Sequence, residues 1–246
     1  MINGRDENEN DFEDDLSFIS RKWRKNGPKA IHQIPLVAKQ KQMRYRMREG
    51  TNVLLEDDET LKHLESQIQM KLPIVHKIEW NSFDINGSFG IKVSFGRVEW
   101  LGLYNKGLTT LPMNFCNLKA LQTLNLCNNE FTAFPEIITK MPWLKELNLE
   151  ENDISTLPES LGHLISLQTL YLGGNSLTSL SETFGNLTAL QTLDLSFNQL
   201  SSLPASIGQL PSLKDLYLQY NQLSSLSVNF ECILETLKQN GCNIYR

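Results

Sequence analysis

Leucine recurs along this chain with a fixed spacing. Within each repeated unit, positions 4 and 6 are leucine, and this alternation over so few residues predicts a short strand with one buried face. Self-similarity at a period of 23 residues predicts a solenoid in which each unit covers the apolar face of its neighbour. Six consecutive units share the pattern LxxLxLxxNxLxxLPxxIGxL, and they begin at Val98, Leu121, Leu144, Leu167, Leu190 and Leu213.

The remaining positions of the unit have their own regularities. An amide carries donors and an acceptor, so asparagine at position 9 can satisfy backbone groups where the chain turns out of the strand. We interpret this column as structural. Position 18 is apolar in every unit, which predicts a short helical or 3₁₀ segment that returns the chain to the core. The asparagine column consists of Asn129, Asn152, Asn175, Asn198 and Asn221.

These columns resemble intracellular leucine-rich repeats of the 23-residue LPxxIGxL subtype, found in Ras suppressor proteins, Ras-binding leucine-rich scaffolds and archaeal cytosolic proteins. The similarity runs from Val98 to about Ile233, with Lys106 replacing the first asparagine and Ser181 and Ser227 replacing proline. It implies an α/β repeat solenoid, an arc with a parallel β-sheet on its concave face. It also implies that this face binds a protein, and that small Ras-like GTPases or their regulators are partners.

The flanking sequence is expected to cover the open ends of the solenoid. We divide the chain into an acidic-then-basic disordered arm (1–52), an N-terminal cap of helix and β-hairpin (53–97), six repeats (98–235) and a C-terminal helical cap (236–246).

Local patterns give the elements of these caps. Asp57 to Leu72 carries an apolar helical stripe that ends before a proline, and the turn NGS at 86–88 predicts a hairpin around Asn86 and Gly87. ILETLKQNG predicts a closing helix that stops at Gly241. The final CNIYR predicts a last strand with Cys242 and Ile244 facing inward.

Charge is distributed unevenly along the arm. The net charge of −5 conceals seven acidic residues against one arginine in 1–20, and ten basic residues with no acid in 21–48. The basic stretch could contact an anionic membrane, nucleic acid or the concave face of the solenoid, or it could remain solvated. An electrostatic adaptor that tethers the repeats through this stretch is therefore the alternative to a protein scaffold. No nucleic-acid-reading domain is present, so sequence-specific nucleic-acid recognition is not expected.

Nothing in the sequence predicts catalysis. The four histidines stand in unrelated contexts, the four cysteines lack CxxC spacing, and there is no phosphate-binding glycine motif. We expect a monomeric non-enzyme with reduced thiols and without cofactor or metal. No apolar run reaches about 18 residues and the N-terminal stretch does not resemble a signal peptide, so we expect a cytoplasmic protein.

The candidate binding residues are the variable positions that point away from the core. Adjacent strands lie about 4.8 Å apart, which is expected to place Tyr171 and Tyr217 on either side of Asp194. Aromatic rings with interleaved acids suit a basic partner, although the acids could equally serve solubility alone. Trp143 is either an exposed anchor or a local plug, and Trp100 either offers an exposed ring or packs on the N-terminal hairpin. The candidates are Trp100, Tyr104, Glu146, Glu150, Glu151, Tyr171, Asp194, Phe197, Asp215, Tyr217 and Tyr220.

Overall fold

A computed structural model of the chain describes residues 45–75, 89–223 and 228–246. By compactness the chain falls into two units, Met1–Arg46 and Met47–Arg246, and the second contains the repeats. Within the described ranges, no helix combines the length and apolar character needed to cross a membrane.

Two short strands and a helix come first. Strand β1 (Tyr45–Arg48) and strand β2 (Thr51–Leu54) form a two-stranded sheet, and helix α1 (Leu55–Ile68) follows at once. The helix ends four residues before the predicted Leu72. Its end is set by Gln69, which adopts the left-handed conformation with φ of 53° and so stops the helical hydrogen bonding.

A buried ion pair holds this segment. Arg48 Nε lies 2.5 Å from Asp58 Oδ1, and Arg48 Nη1 lies 2.6 Å from Glu65 Oε1; both carboxylates are almost fully buried. The sequence assigned residues 45–52 to a disordered arm because they are polar and basic. They form strands because β1 and β2 pair with each other across the turn at Glu49 and Gly50, and Arg48 binds two acids of α1. Residues 1–44 of that arm lie outside the described residues.

An antiparallel hairpin leads into the repeats. Strand β3 (Phe89–Ser94) pairs with strand β4 (Arg97–Leu103), and the chain turns at Phe95 and Gly96. The hairpin predicted around residues 86–87 lies outside the described residues. The remaining strands are β5 (Thr123–Asn125), β6 (Glu146–Asn148), β7 (Thr169–Tyr171), β8 (Thr192–Asp194), β9 (Asp215–Tyr217) and β10 (Asn243–Tyr245).

Strands β4 to β10 form a parallel sheet in chain order, with β3 antiparallel at one edge. The register matches equal positions of neighbouring units, so Leu124 lies beside Leu147 and Leu147 beside Leu170. The leucines at positions 4 and 6 are buried almost completely in every unit and form one continuous core. The predicted α/β repeat solenoid with a parallel sheet is confirmed.

Short 3₁₀ segments lie opposite the sheet and bring position 18 into the core. They are Phe115–Asn117, Glu136–Lys140, Glu159–His163, Glu182–Asn186 and Ala205–Gln209.

In the sixth unit a helix takes the place of the 3₁₀ segment. Helix α2 (Val228–Gln239) begins five residues before the predicted Ile233, and it spans the predicted boundary between residues 235 and 236. The reason is burial: Phe230, Leu234 and Leu237 all pack into the core, so the helical turn starts within the last repeat.

The asparagine column joins each unit to the preceding one. Asn175 Nδ2 donates to the carbonyl oxygens of Leu172 (3.0 Å) and, one unit earlier, Leu149 (2.9 Å), while its Oδ1 accepts from Ile154 N–H at 3.0 Å. Asn129, Asn152, Asn198 and Asn221 repeat this arrangement. One buried side chain thus satisfies backbone groups in two consecutive units.

We expect Asn175→Ala to lower the free energy of unfolding by about 3 kcal/mol, because each buried backbone group left without a partner costs about 1 to 3 kcal/mol. Asn186→Ala makes the same change at an exposed asparagine and should alter it by less than about 0.5 kcal/mol. Urea denaturation of the two variants measures the difference. Equal losses would contradict the role assigned to the amide.

Candidate functional site

The side of the sheet that faces away from the core carries the candidate residues. We call the side chains at positions 3, 5, 7 and 8 of the units the sheet face. The register places Tyr171 beside Asp194, Asp194 beside Tyr217, and Tyr217 beside Tyr245. A row of rings with one carboxylate between them therefore runs across β7 to β10.

The aromatic side chains of this row and of the turns beyond it stack in pairs. The rings of Tyr217 and Tyr245 lie 4.4 Å apart between centroids at an angle of 8°, and those of Phe197 and Tyr220 lie 4.3 Å apart at 19°. Phe197 is 57% exposed and Tyr220 is 73% exposed. The sheet face thus presents large apolar rings to solvent at its C-terminal half.

Five carboxylates accompany the rings, and several are held in place by neighbours. Asp194 Oδ1 accepts from the N–H of Ser196 at 2.8 Å and from its hydroxyl at 2.6 Å. Glu150 Oε2 accepts from Asn148 Nδ2 at 2.9 Å. These hydrogen bonds fix the direction in which the carboxylates point.

These acids differ from those of helix α1 in one respect. Asp57, Asp58 and Glu65 each form ion pairs with lysine or arginine. Among the described residues, by contrast, no lysine or arginine lies within ion-pair distance of the sheet-face acids. Those acids are Glu146, Glu150, Glu151, Asp194 and Asp215.

Burial and repulsion between negative charges raise the pKa values of two side chains in this region. Burial raises the pKa of Glu150 to about 7, and the negative charges of Asp194 and Glu151 add to the effect. Burial likewise raises the pKa of Tyr171 to about 12, with the carboxylates of Glu150 and Glu146 contributing. The sheet-face acids have no lysine or arginine within ion-pair distance among the described residues, and a bound cation would reduce the repulsion between them.

The N-terminal end of the sheet face differs from the expectation for an open surface. Trp100 is only 5% exposed, so it does not offer an accessible ring. Its place on β4 opposite Lys92 of β3 agrees with the alternative, that it packs on the N-terminal hairpin. Tyr104 is half-buried, and its hydroxyl accepts from Asn128 Nδ2 at 3.4 Å.

Trp143 lies off the sheet face, and Cys127, at position 7 of unit two, is buried within it. Trp143 packs against the core, and its Nε1 donates to the carbonyl of Leu118 at 3.3 Å, so it is a local plug. Burial raises the pKa of Cys127 to about 12, which keeps this thiol protonated and unreactive. Within the described ranges no cluster of His, Cys, Asp and Glu side chains is arranged to hold a metal ion.

Sequence reasoning missed Tyr245. Cys242 and Ile244 were assigned inward positions, and Cys242 is 5% exposed while Ile244 packs against the core. The period of two along β10 already implies that Tyr245 faces the other way, beside Tyr217. The C-terminal strand therefore contributes a ring to the site although it lies beyond the last repeat.

Comparison with known families identifies the repeats. Two overlapping stretches, residues 119–177 and 166–223, match the family model of the leucine rich repeat. Residues 119–223 are therefore leucine-rich repeats. Leucine-rich repeats generally serve as protein-binding modules. A comparison with curated proteins gives no match.

Several solved structures are similar to this chain. An internalin from Listeria monocytogenes is 24% identical, with a TM-score of 0.46 over 55% of this chain and 37% of that one. A leucine-rich repeat protein of Leptospira interrogans is 29% identical, with a TM-score of 0.39 over 60% of this chain and 48% of that one. The APL1 leucine-rich repeat domain is 32% identical, with a TM-score of 0.49 over 54% of this chain and 35% of that one. The chain spans between about a third and a half of the length of these neighbours.

The raised pKa of Glu150 predicts a pH dependence of stability. Its folded-state pKa of about 7 exceeds the ordinary 4.5, so its contribution to stability is full below about pH 4.5 and is lost as the pH rises through 7. We expect Glu150→Gln to match the unchanged protein at low pH and to exceed it by about 1 to 3 kcal/mol at about pH 8.

Urea denaturation across this pH range measures the difference. Glu159→Gln, at an exposed carboxylate of a 3₁₀ segment, is the matched control. The difference between its free energy of unfolding and that of the unchanged protein should not vary with pH. A difference for Glu150→Gln that does not change with pH would contradict the assignment.

Proposed function

We propose that the chain is a non-enzymatic protein-binding module whose partner docks on the sheet face. One observation carries the proposal: four large aromatic side chains stack there in pairs, and Phe197 and Tyr220 remain more than half exposed. Exposed clusters of large apolar groups mark interaction sites. Tyrosine is also enriched among the residues that dominate binding energy at protein interfaces.

The different roles of the positions within the repeat support this proposal. Leucine at positions 4 and 6 fills the core, and asparagine at position 9 satisfies the backbone. Positions 3, 5, 7 and 8 carry different residues from unit to unit, so the repeat does not fix their identity. A rigid sheet then holds the varied side chains in fixed positions, which reduces the entropy lost on binding.

We also propose a cytoplasmic setting, with a small Ras-like GTPase or its regulator as partner. Support comes from the resemblance of the LPxxIGxL pattern to Ras suppressor proteins and Ras-binding scaffolds. The buried free thiols of Cys127 and Cys242 are consistent with a reducing compartment.

A second candidate function rests on the basic stretch. The basic stretch 21–48 has ten basic residues without an acid, of which Arg48 is held by Asp58 and Glu65; it favours an electrostatic adaptor that attaches the repeats to an anionic membrane or nucleic acid. Substitution of the five lysines in this stretch by glutamine would weaken attachment to an anionic surface and leave docking on the sheet face intact.

We expect Tyr171→Ala with Tyr217→Ala in the full chain to abolish capture of the protein partner from native lysate. The rings supply the buried area of the interface, and truncation of such a hot-spot residue costs at least about 2 kcal/mol. The far-UV circular dichroism should not change, because neither ring belongs to the core formed by the leucines. Quantitative mass spectrometry of the captured proteins measures the loss.

Ile165→Ala is the control, since Ile165 is a large apolar residue that is 59% exposed and lies off the sheet face. Capture by this variant should equal that of the unchanged chain. Full capture by the double tyrosine variant would place the binding site elsewhere on the molecule.

A further inference from the structure

Unit four of the repeats has no side chain at positions 7 and 8, which are Gly173 and Gly174. A Cβ atom at Gly174 would lie 2.7 Å from Glu151 Oε1, and one at Gly173 would lie 3.3 Å from Asp194 Oδ1. Gly174 also has a φ of +66°. The space that side chains at these two positions would fill is entered by Glu151 of unit three on one side and by Asp194 and Ser196 of unit five on the other. We call this space the glycine recess.

The carboxylates around the glycine recess have free capacity to accept hydrogen bonds. Ser196 engages Oδ1 of Asp194, and no described residue donates to Oδ2. Glu151 is exposed. Glu150 feels the charges of both, since they contribute to its raised pKa. A cation in the recess would contact groups that no lysine or arginine of the described residues neutralises.

The aromatic residues beside the glycine recess adopt a backbone conformation that costs free energy. Position 8 is left-handed in every unit, and the first four units place Asn105, Asn128, Glu151 and Gly174 there. Asparagine and glycine adopt this conformation most readily, whereas other residues lose roughly 1 to 2 kcal/mol. Units five and six instead carry Phe197 (φ 53°) and Tyr220 (φ 56°).

Burial does not compensate for this cost, because both rings are more than half exposed. Their mutual stacking returns only about 0.5 to 1.5 kcal/mol. Folding alone therefore does not account for aromatic residues at these two positions. Backbone strain of this kind concentrates at sites of function.

We infer that the glycine recess and the Phe197–Tyr220 pair bind an extended segment of a partner protein through an arginine side chain. This inference rests on the proposal that a protein docks on the sheet face. The guanidinium donates to Asp194 Oδ2 and to Glu151, and its flat side stacks on the ring of Phe197, which follows Gly174 in the ladder of position-8 residues.

Arginine fits this surface better than other basic residues. Its planar guanidinium can donate to a carboxylate with two parallel hydrogen bonds and stack on an aromatic ring at the same time. A lysine ammonium is a compact, strongly hydrated charge that gains less from the ring. Charge complementarity thus selects a basic segment, and the aromatic pair selects arginine within it.

The test uses the full chain and three synthetic peptides of sequence Gly-Ser-X-Gly-Ser-X-Gly-Ser, where X is arginine, lysine or citrulline. Citrulline keeps the shape of arginine without its charge. The amide signals of Gly173 and Gly174 in ¹H–¹⁵N NMR spectra report occupation of the recess. We expect saturable shifts with the arginine peptide, weaker binding of the lysine peptide and no shifts with the citrulline peptide.

Two isosteric variants test the carboxylates. Asp194→Asn retains Oδ1 for Ser196 but loses the charge, and Glu151→Gln does the same at the other border; each should weaken binding of the arginine peptide at least about fivefold. Glu159→Gln removes an exposed carboxylate away from the sheet face and should leave the affinity unchanged.

The pair Phe197→Asn with Tyr220→Asn tests the rings, using the residue type found at position 8 of units one and two. We expect weaker binding of the arginine peptide together with an equal or higher urea denaturation midpoint, because asparagine relieves the backbone strain. A lower midpoint would show that the rings serve the fold and would overturn their role in binding.

Equal binding of the arginine and citrulline peptides, or full affinity of Asp194→Asn, would overturn the inference. So would unchanged signals of Gly173 and Gly174 in all titrations. If capture of a lysate protein still depended on Tyr171 and Tyr217, these failures would leave the proposed protein-binding function standing. Loss of that dependence would instead refute the proposed function.

Discussion

The side-chain amide at position 9 connects every repeat to the one before it, and the stacking of the chain depends on this contact. In Asn175 the amide donates to carbonyls of its own unit and of the preceding unit, and its oxygen accepts from Ile154 N–H. No apolar side chain could satisfy these buried backbone groups, and each would be costly without a partner. The leucine core supplies most of the burial, but the amide fixes the position of one unit on the next.

Because core and amide together set the register, the outer positions of the strands are arranged by it as well. Tyr171, Asp194 and Tyr217 are neighbours since each lies 23 residues from the next and the strands are parallel. The acids of this surface lack the lysine and arginine partners that Asp58 and Glu65 have in helix α1. Unneutralised charge on a rigid surface beside exposed rings is an arrangement suited to binding rather than to folding.

The turn after each strand shows how one backbone requirement can be met by different residues. The left-handed conformation at position 8 recurs in all units, with asparagine first and then glutamate, glycine, phenylalanine and tyrosine. Glycine in unit four opens space for the carboxylates of Glu151 and Asp194. Aromatic residues in units five and six keep their rings in solvent at a conformational cost. The residue type at position 8 therefore differs with the surface that each unit presents, while the left-handed backbone stays the same.

The sequence alone determined everything that repeats with the period of 23: the strands, the leucine core, the asparagine column, the 3₁₀ returns and the row containing Tyr171 and Asp194. Periodicity suffices there because each unit meets the same neighbours at the same positions. Only the tertiary structure decided the features at the two ends, where Trp100 is buried, Arg48 reaches Asp58, and Tyr245 stacks on Tyr217. These contacts join segments without a shared pattern, so their partners are set by three-dimensional packing.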